Sequence, residues 1–384
     1  MKTRSIKWKN YISYIIVGII AIVFSVCSIA GGLPASTLYL LEKIAISVIL
    51  AVSLSLVVGF LGELSLGHAG FMCVGAYIGG KVSVILSESL NMGTMNNPSV
   101  VNLLISLVVG GACAAICGIV IGLPALRLKG DYLAIVTLAF GEIVKSIFQN
   151  TKRETFGGAL GLKTPRFDKD FLFIFAFALV LLTLFVIQNI IRSKHGRAIT
   201  SIRDNEIAAR ATGINVTKYK LIGFTVSAFF AGIAGVLYSF SNYTVQSAKF
   251  GYNYSIEILV MVVLGGMGSI NGSIIAATLI TFLNTKLATV LTGDLAVLQN
   301  LLYALILILI VLYNNAPALA SFRERYNFTN FIRKFYKPKH DPAKVQDDKA
   351  SWDKIPTKIK MDAILSLDLS GKETLQREDD KGDE

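Results

Sequence analysis

The sequence predicts an all-α fold, a polytopic bundle of about ten transmembrane helices. Of its 384 residues, 53% are hydrophobic and only 16% are charged, which is too apolar for a chain that must keep a hydrated surface. The apolar residues also lie in runs of roughly 20, the length at which an α-helix crosses a hydrocarbon core of about 30 Å. The strands of an outer-membrane barrel would instead alternate over about 10 residues, so the sequence excludes that class.

The apolar runs divide the chain into a short N-terminus (1–10), a transmembrane domain (11–315) and a charged tail (316–384) that is expected to be disordered. The predicted spans are residues 11–30, 38–60, 69–86, 101–123, 132–148, 171–191, 221–241, 256–267, 273–291 and 298–313.

The net charge of +12 is explained by topology rather than by nucleic acid, because the basic residues lie mainly between apolar runs. Ten spans place the N-terminus, Arg127, Lys129, the 192–220 loop and the tail on one side, as the positive-inside rule requires. The sequence therefore predicts a multi-pass protein of the bacterial inner membrane, embedded in the lipid bilayer, with both termini cytoplasmic and no nucleic-acid partner.

Two glycine-rich segments interrupt the apolar runs: VVGFLGELSLGHAGF at 57–71 and VVLGGMGSINGSIIAA at 262–277. A helix that restarts inside a membrane offers free N–H groups to a substrate carboxylate, and an unwound glycine turn permits close approach. An internal repeat and simple close packing of glycine explain the pair equally well. With or without a repeat, the two helix restarts predict a substrate path bordered by Ser65, Gly67, His68, Ser269, Asn271 and Gly272.

The polar segment 193–220, SKHGRAITSIRDNEIAARATGINVTKYK, lies between two apolar spans. Gly196 is predicted to end the preceding span, residues 198–212 to form a cytoplasmic coupling helix, and Gly213 to cap it in the left-handed conformation. Glu206 and Arg210 have the i, i+4 spacing of an exposed helix. Such a helix suits a groove on a partner protein, with apolar contacts expected from Ile199, Ile202, Ala208 and Ala209. A solvated loop whose charges only fix topology is the alternative, and it does not account for the capping pattern.

The segment 195–238, HGRAITSIRDNEIAARATGINVTKYKLIGFTVSAFFAGIAGVLY, resembles the LivM-type permeases of branched-chain amino acid ABC importers. Further matches are SLSLVVGFLGELSLGHAGFMCVGAYIG from Ser53, KGDYLAIVTLAFGEIVK from Lys129 and SIEILVMVVLGGMGSINGSIIAA from Ser255. The loop TFGGALGL, from Thr155, looks like the family's TGGxxGL segment, and Thr155 joins the candidate path residues. The departures are Phe156 within that element and the long charged tail.

The resemblance implies that the segment from Gly196 to Gly213 is the EAA-like loop that contacts the ATPase subunit. The residues that carry this implied coupling role are Gly196, Arg197, Ile202, Arg203, Asp204, Asn205, Glu206, Ala208, Ala209 and Gly213. It also implies two ABC ATPase subunits, a heterodimer with a LivH-type permease, and an extracytoplasmic substrate-binding protein as partners.

No GxxxxGK[ST] phosphate-binding loop occurs in the sequence, so ATP is expected to be used by the partner subunits, with no cofactor bound directly. No HExxH motif and no convergent Ser, His and Asp set indicate a metal or catalytic site, and the chain is predicted to be a transport subunit rather than an enzyme. Two alternatives remain: an importer of urea or short amides with the same architecture, and an ion-coupled secondary amino acid transporter that uses Glu63 or Glu142.

Overall fold

The computed structural model describes residues 34–290, except 90–92, 95–96, 129 and 168, and a few isolated positions outside this range. The chain divides at residue 311, and every described residue belongs to the unit Met1–Val311. The predicted N-terminus, first span, tenth span and tail lie outside the described residues, apart from those isolated positions.

Helices make up most of the described chain. In order they are α1 (Ala35–Ser55), which continues as the π-helical segment Leu56–Leu61, α2 (His68–Ser89), α3 (Val100–Ala125), α4 (Asp131–Asn150), α5 (Arg153–Phe156), α6 (Lys169–Arg192), α7 (Lys194–Asp204), α8 (Glu206–Ala211), α9 (Val216–Ser241), α10 (Tyr252–Leu264) and α11 (Ile270–Val290). Two short antiparallel pairs join β1 (Gly93–Thr94) to β2 (Asn97–Pro98) and β3 (Leu162–Lys163) to β4 (Thr244–Val245). Single 3₁₀ turns lie at Gly158–Leu160 and Ser247–Phe250.

Six of the described helices are long and apolar enough to cross a membrane: α1 with its π-helical extension, α2, α3, α6, α9 and α11. The predicted span 132–148 lies in α4, which carries three charged residues and is not among these six. The predicted span 256–267 lies mostly on α10, an apolar helix of only 13 residues that ends at Leu264. The structure therefore has the predicted all-α polytopic character, and the count of ten spans stays a prediction.

The helices pack closely because small residues line their contacts. α9 packs against α1, α2 and α3. A Cβ added to Gly75 of α2 would overlap the carbonyl of Gly232 on α9, and one added to Gly235 would overlap the carbonyl of Met72. Contacts between backbones of this kind are how membrane helices associate where apolar burial gives no advantage over lipid. Every residue of α1 and its extension from Ile44 to Gly59 is buried.

α9 fixes the distance between the two ends of the bundle. It begins at Val216, next to α7 and α8, and ends at Ser241, shortly before β4. Its 26 residues span roughly 39 Å at 1.5 Å per residue. We call the end that holds α7 and α8 the loop end, and the end that holds β3 and β4 the strand end.

Candidate functional site

The polar segment after α6 folds as two capped helices rather than as one. The hydroxyl of Ser193 accepts hydrogen bonds from the N–H groups of His195 and Gly196 and starts α7. The side chain of Asn205 accepts one from the N–H of Ala208 at 3.0 Å and starts α8. Gly213 has a φ of 84° after α8, as its predicted capping role requires.

Two details of the predicted segment were wrong. The single helix over 198–212 is interrupted, because Asn205 adopts an extended conformation (φ −159°, ψ 105°) and its side chain starts a new helix. The break after α6 falls at Ser193, whereas Gly196 lies in the first turn of α7, where a Cβ would overlap the carbonyl of Ile191. The segment therefore turns twice over a short distance.

The apolar face of α7 and α8 packs on the protein itself. Ile199 is 1% exposed, and Ile202, Ala209 and Val216 form a small buried cluster. Ile199, Ile202 and Ala209 were expected to contact a partner, and this expectation was wrong. The outward side of α8 instead presents Ile207, which is 79% exposed, with Ala208 and Arg210 beside it.

Arg203 joins α7 to both glycine-rich segments. Its Nη1 atom donates to the carbonyl oxygen of Gly59 at 3.1 Å, and its aliphatic stem packs over Gly62. Gly268 lies beside the same guanidinium, and a Cβ added to Gly59 would meet the backbone nitrogen of Gly268. The guanidinium also binds Asp204 at 2.9 Å. One side chain of the polar segment thus contacts two parts of the bundle that are about 200 residues apart in sequence.

Lys220, at the start of α9, forms a second link. Its ammonium pairs with the carboxylate of Glu63 in the first glycine-rich segment and, at 3.2 Å, with that of Glu206 at the start of α8. The Lys220 side chain is 3% exposed, Glu63 12% and Glu206 22%. We call these three residues the Lys220 ion cluster. Glu206 also forms the predicted pair with Arg210, at 2.8 Å.

The first glycine-rich segment leaves helical conformation at residues 62–67. Gly62 has a φ of 78°, and a Cβ on Gly67 would overlap the carbonyl oxygen of Thr137. α2 then starts with the buried His68, whose Nε2 lies 2.9 Å from the hydroxyl of Ser53. Ser53 lies in α1, eight residues before the end of the π-helical segment, so α2 begins beside α1 and not beyond that end.

Buried hydroxyl groups surround this restart. The N–H of Leu66 donates to Thr137 Oγ1 at 3.0 Å, and the N–H of Ala69 donates to Ser255 Oγ at 3.1 Å. Ser65 is 2% exposed, and its Oγ has no hydrogen-bond partner in the described part of the chain. The predicted path residues Ser65, Gly67 and His68 are therefore adjacent to one another in a polar, buried setting.

The second glycine-rich segment turns between α10 and α11. Gly266 and Gly268 have φ values of 90° and 84°, and Gly272 packs directly on the carbonyl of Gly265. The hydroxyl of Ser269 accepts from the N–H of Gly272 at 3.2 Å, which caps α11. Ser269 and Asn271 are exposed.

A family model described as "Branched-chain amino acid transport system / permease component" matches residues 36–312. The chain belongs to this permease family. The match covers α1 to α11, including the polar segment and both glycine-rich segments.

Relatives of the permease carry related descriptions. The "High-affinity branched-chain amino acid transport system permease protein LivM" of Escherichia coli (strain K12) is 38% identical over 266 residues, which are 61% of this chain and 60% of the relative. A probable LivM of Methanocaldococcus jannaschii is 28% identical over 58% of this chain and 73% of its own. The ribose import permease RbsC of E. coli is 25% identical over 72% and 84%. No solved structure matches. The chain thus spans about 60% of the length of the E. coli LivM protein.

Thr155 of the permease does not join the other path residues. It lies in the four-residue helix α5, exposed, and its hydroxyl donates to the carbonyl oxygen of Lys152. The following loop leads into β3 at the strand end. Phe156, the departure from the family's TGG element, packs edge-on against Phe148 with ring centres 5.3 Å apart. Thr155 therefore belongs to the strand end, and its hydrogen bond to Lys152 does not reach a glycine-rich segment.

Sequence reasoning missed Gly59 and Lys220 as parts of this site. Lys220 sits at the boundary between a polar segment and an apolar run, where a lysine normally reaches for the headgroups, so nothing local indicates its buried partner. Across the part of the permease that the structure describes, no group of three His, Cys, Asp or Glu side chains could hold a metal ion. The site consists of the Arg203 contacts, the Lys220 ion cluster and the buried hydroxyl groups around the start of α2.

Proposed function

We propose that this chain is the membrane-spanning permease subunit of an ATP-driven importer of branched-chain or similar small amino acids. One observation carries the proposal: α7 and α8 are held to both glycine-rich segments through Arg203 and the Lys220 ion cluster, while the outer side of α8 stays exposed. A helix attached rigidly on one side and open on the other is suited to transmit a partner's movement into the bundle.

In this proposal the ATP is bound and hydrolysed by separate ATPase subunits that dock on α8. Each nucleotide state binds one conformation of the permease better than the other and so shifts its population, which produces alternating access. Movement of α8 pulls on Glu63 through Lys220, and movement of α7 pulls on Gly59 through Arg203. The residues Ser65, Gly67, His68, Ser269, Asn271 and Gly272 then border the path that opens and closes, whereas Thr155 serves its outer entrance.

The partners and the membrane topology in this proposal are those that the family resemblance implies. The subunit pairs with a LivH-type permease, receives its substrate from an extracytoplasmic binding protein, and lies in the bacterial inner membrane with ten spans and both termini cytoplasmic. Residues 316–384 form a cytoplasmic tail. The relatives named as branched-chain amino acid permeases support this substrate class over urea or short amides. An ion-coupled carrier is not favoured, since Glu63 and Glu142 are engaged by Lys220 and Lys145.

Co-purification with co-expressed ATPase subunits tests the docking surface. Ile207→Glu places a charge on the exposed apolar side chain of α8 and should release the ATPase, because a charge buried in an interface without a partner costs several kcal/mol. Leu160→Glu is the matched control: Leu160 is 62% exposed but lies near the strand end. Retention of the ATPase by Ile207→Glu, or its equal loss in both variants, would contradict the proposal.

A further inference from the structure

A cavity of about 530 Å³ lies toward the strand end, between α1, α10 and α11. This volume is in the range of roughly 300–1,000 Å³ that small-molecule sites occupy. Tyr39 lines it, and its hydroxyl donates to the side chain of Asn242, just after the end of α9. The cavity is therefore separate from α7 and α8, which lie at the opposite end of that helix.

The cavity carries charges of both signs. Lys43 and Lys249 line it together with Glu257. The ammonium of Lys43 lies 4.9 Å from the centre of the Tyr39 ring and forms no ion pair within the described chain. The carboxylate of Glu257 accepts from the side-chain amide of Asn284 at 3.0 Å, which orients it. Lys43 and Glu257 are half-buried, whereas Lys249 is exposed. Ionisable side chains that line a cavity among apolar helices often mark a functional pathway.

A buried hydroxyl and an apolar wall complete the lining. Thr281 is 7% exposed, and its Oγ1 has no hydrogen-bond partner among the described residues. Ile46, Met72 and Phe250 provide apolar surface. Met72 follows His68 by one helical turn in α2, so the apolar wall leads toward the buried hydroxyls around the first glycine-rich segment.

We propose that this cavity is the outer binding site for the transported amino acid in its zwitterionic form. The substrate carboxylate pairs with Lys43, its ammonium pairs with Glu257, Thr281 supplies a further hydrogen bond, and the aliphatic side chain packs on Ile46 and Met72. The inference rests on the proposed function, which it deepens by naming where the permease itself recognises the two charges common to all such substrates.

Uptake of leucine by the complete importer in proteoliposomes tests the two charges. Lys43→Met and Glu257→Gln should each lower the uptake at limiting leucine about tenfold or more, because each removes a charge-assisted hydrogen bond. Lys43→Arg keeps the cation and should retain most of the wild-type uptake. Lys286→Met is the matched control, since Lys286 lies on α11 between the lining residues Thr285 and Ala288 but is not itself part of the lining. Co-elution of the ATPase subunits with every variant verifies that the complex assembles.

Protection of an introduced cysteine measures binding directly. Ala288 lines the cavity and is exposed, so Ala288→Cys should react with a maleimide above the background of the wild-type chain, which has four cysteines. Leucine at ten times its dissociation constant should slow the reaction about tenfold, whereas isoamylamine, without the carboxylate, and 4-methylpentanoate, without the ammonium, should not. Nanodiscs of phosphatidylglycerol contain no lipid ammonium, so protection there comes from the amino acid.

The outcomes separate the two claims. If the wild-type complex imports leucine but Lys43→Met and Glu257→Gln behave as Lys286→Met does, or if all three ligands protect Ala288→Cys equally, the cavity assignment is overturned while the proposed function stands. If the assembled wild-type complex imports no branched-chain amino acid, both claims fail. Selective loss of uptake in the two cavity variants, with protection by leucine alone, supports both.

Discussion

Replacing Lys220 by methionine removes the cation that holds α8 to the first glycine-rich segment. The Lys220 side chain is 3% exposed. The substitution leaves two carboxylates without their cation, Glu63, which is 12% exposed, and Glu206, which is 22% exposed. Removing one partner of a buried ion pair costs about 3–5 kcal/mol, because the remaining charge stays desolvated without compensation. We take about 3 kcal/mol, since Glu206 still reaches solvent. A tenfold change in an equilibrium corresponds to about 1.4 kcal/mol, so the open population of α8 should rise roughly 100-fold.

Hydrogen exchange of the α8 amides in nanodiscs measures that population, because local opening controls exchange in a native protein. Arg210→Met is the control: it removes the other ion pair of Glu206, but Arg210 is 66% exposed, and such a pair contributes about 0.3–0.5 kcal/mol. It should change exchange by about twofold. The triple variant Lys220→Met, Glu63→Gln, Glu206→Gln leaves no buried charge and should recover much of the protection. Equal exchange in Lys220→Met and Arg210→Met would refute the reasoning.

Two further predictions concern the first glycine-rich segment. Gly67→Ala should destabilise the bundle by about 1–3 kcal/mol or prevent folding, since the new Cβ would overlap the carbonyl oxygen of Thr137. The thermal unfolding midpoint measures this. Gly223→Ala is the control and should leave the midpoint unchanged, because its Cβ would meet nothing closer than 3.8 Å. Ser65→Ala should leave that midpoint unchanged or raise it, because it removes a buried hydroxyl that has no hydrogen-bond partner among the described residues. The same variant should lower leucine uptake if Ser65 borders the path, and normal uptake would remove Ser65 from it.

Features of the site that depend on neighbours in sequence could be predicted. The left-handed conformation of Gly213 and the pair between Glu206 and Arg210 follow from helix capping and from i, i+4 spacing, and both are present. The interruption at Asn205 was also visible in principle, since asparagine is among the strongest N-cap residues. The good helix formers on both sides of Asn205 favoured the prediction of one continuous helix instead.

Contacts between distant parts of the chain could not be predicted. Lys220 and Glu63 are 157 residues apart, and no local pattern selects one partner for a lysine among several acidic residues. For the same reason the apolar face of α7 and α8 was assigned to a partner protein. Periodicity shows that Ile199 and Ile202 share a face, but it does not show whether that face meets another chain or, as found, the protein's own bundle.

α9 connects the two sites that we propose. Its first turns carry Val216 and Lys220, which hold α8, and its last turns carry Tyr238, which lines the charged cavity. Between these ends its glycines bring its backbone against α2 and α3, and close-packed interfaces of this kind favour discrete arrangements over continuous bending. A displacement of α8 by an ATPase would therefore move α9 as a rigid element, so that the cavity changes shape when the loop end moves.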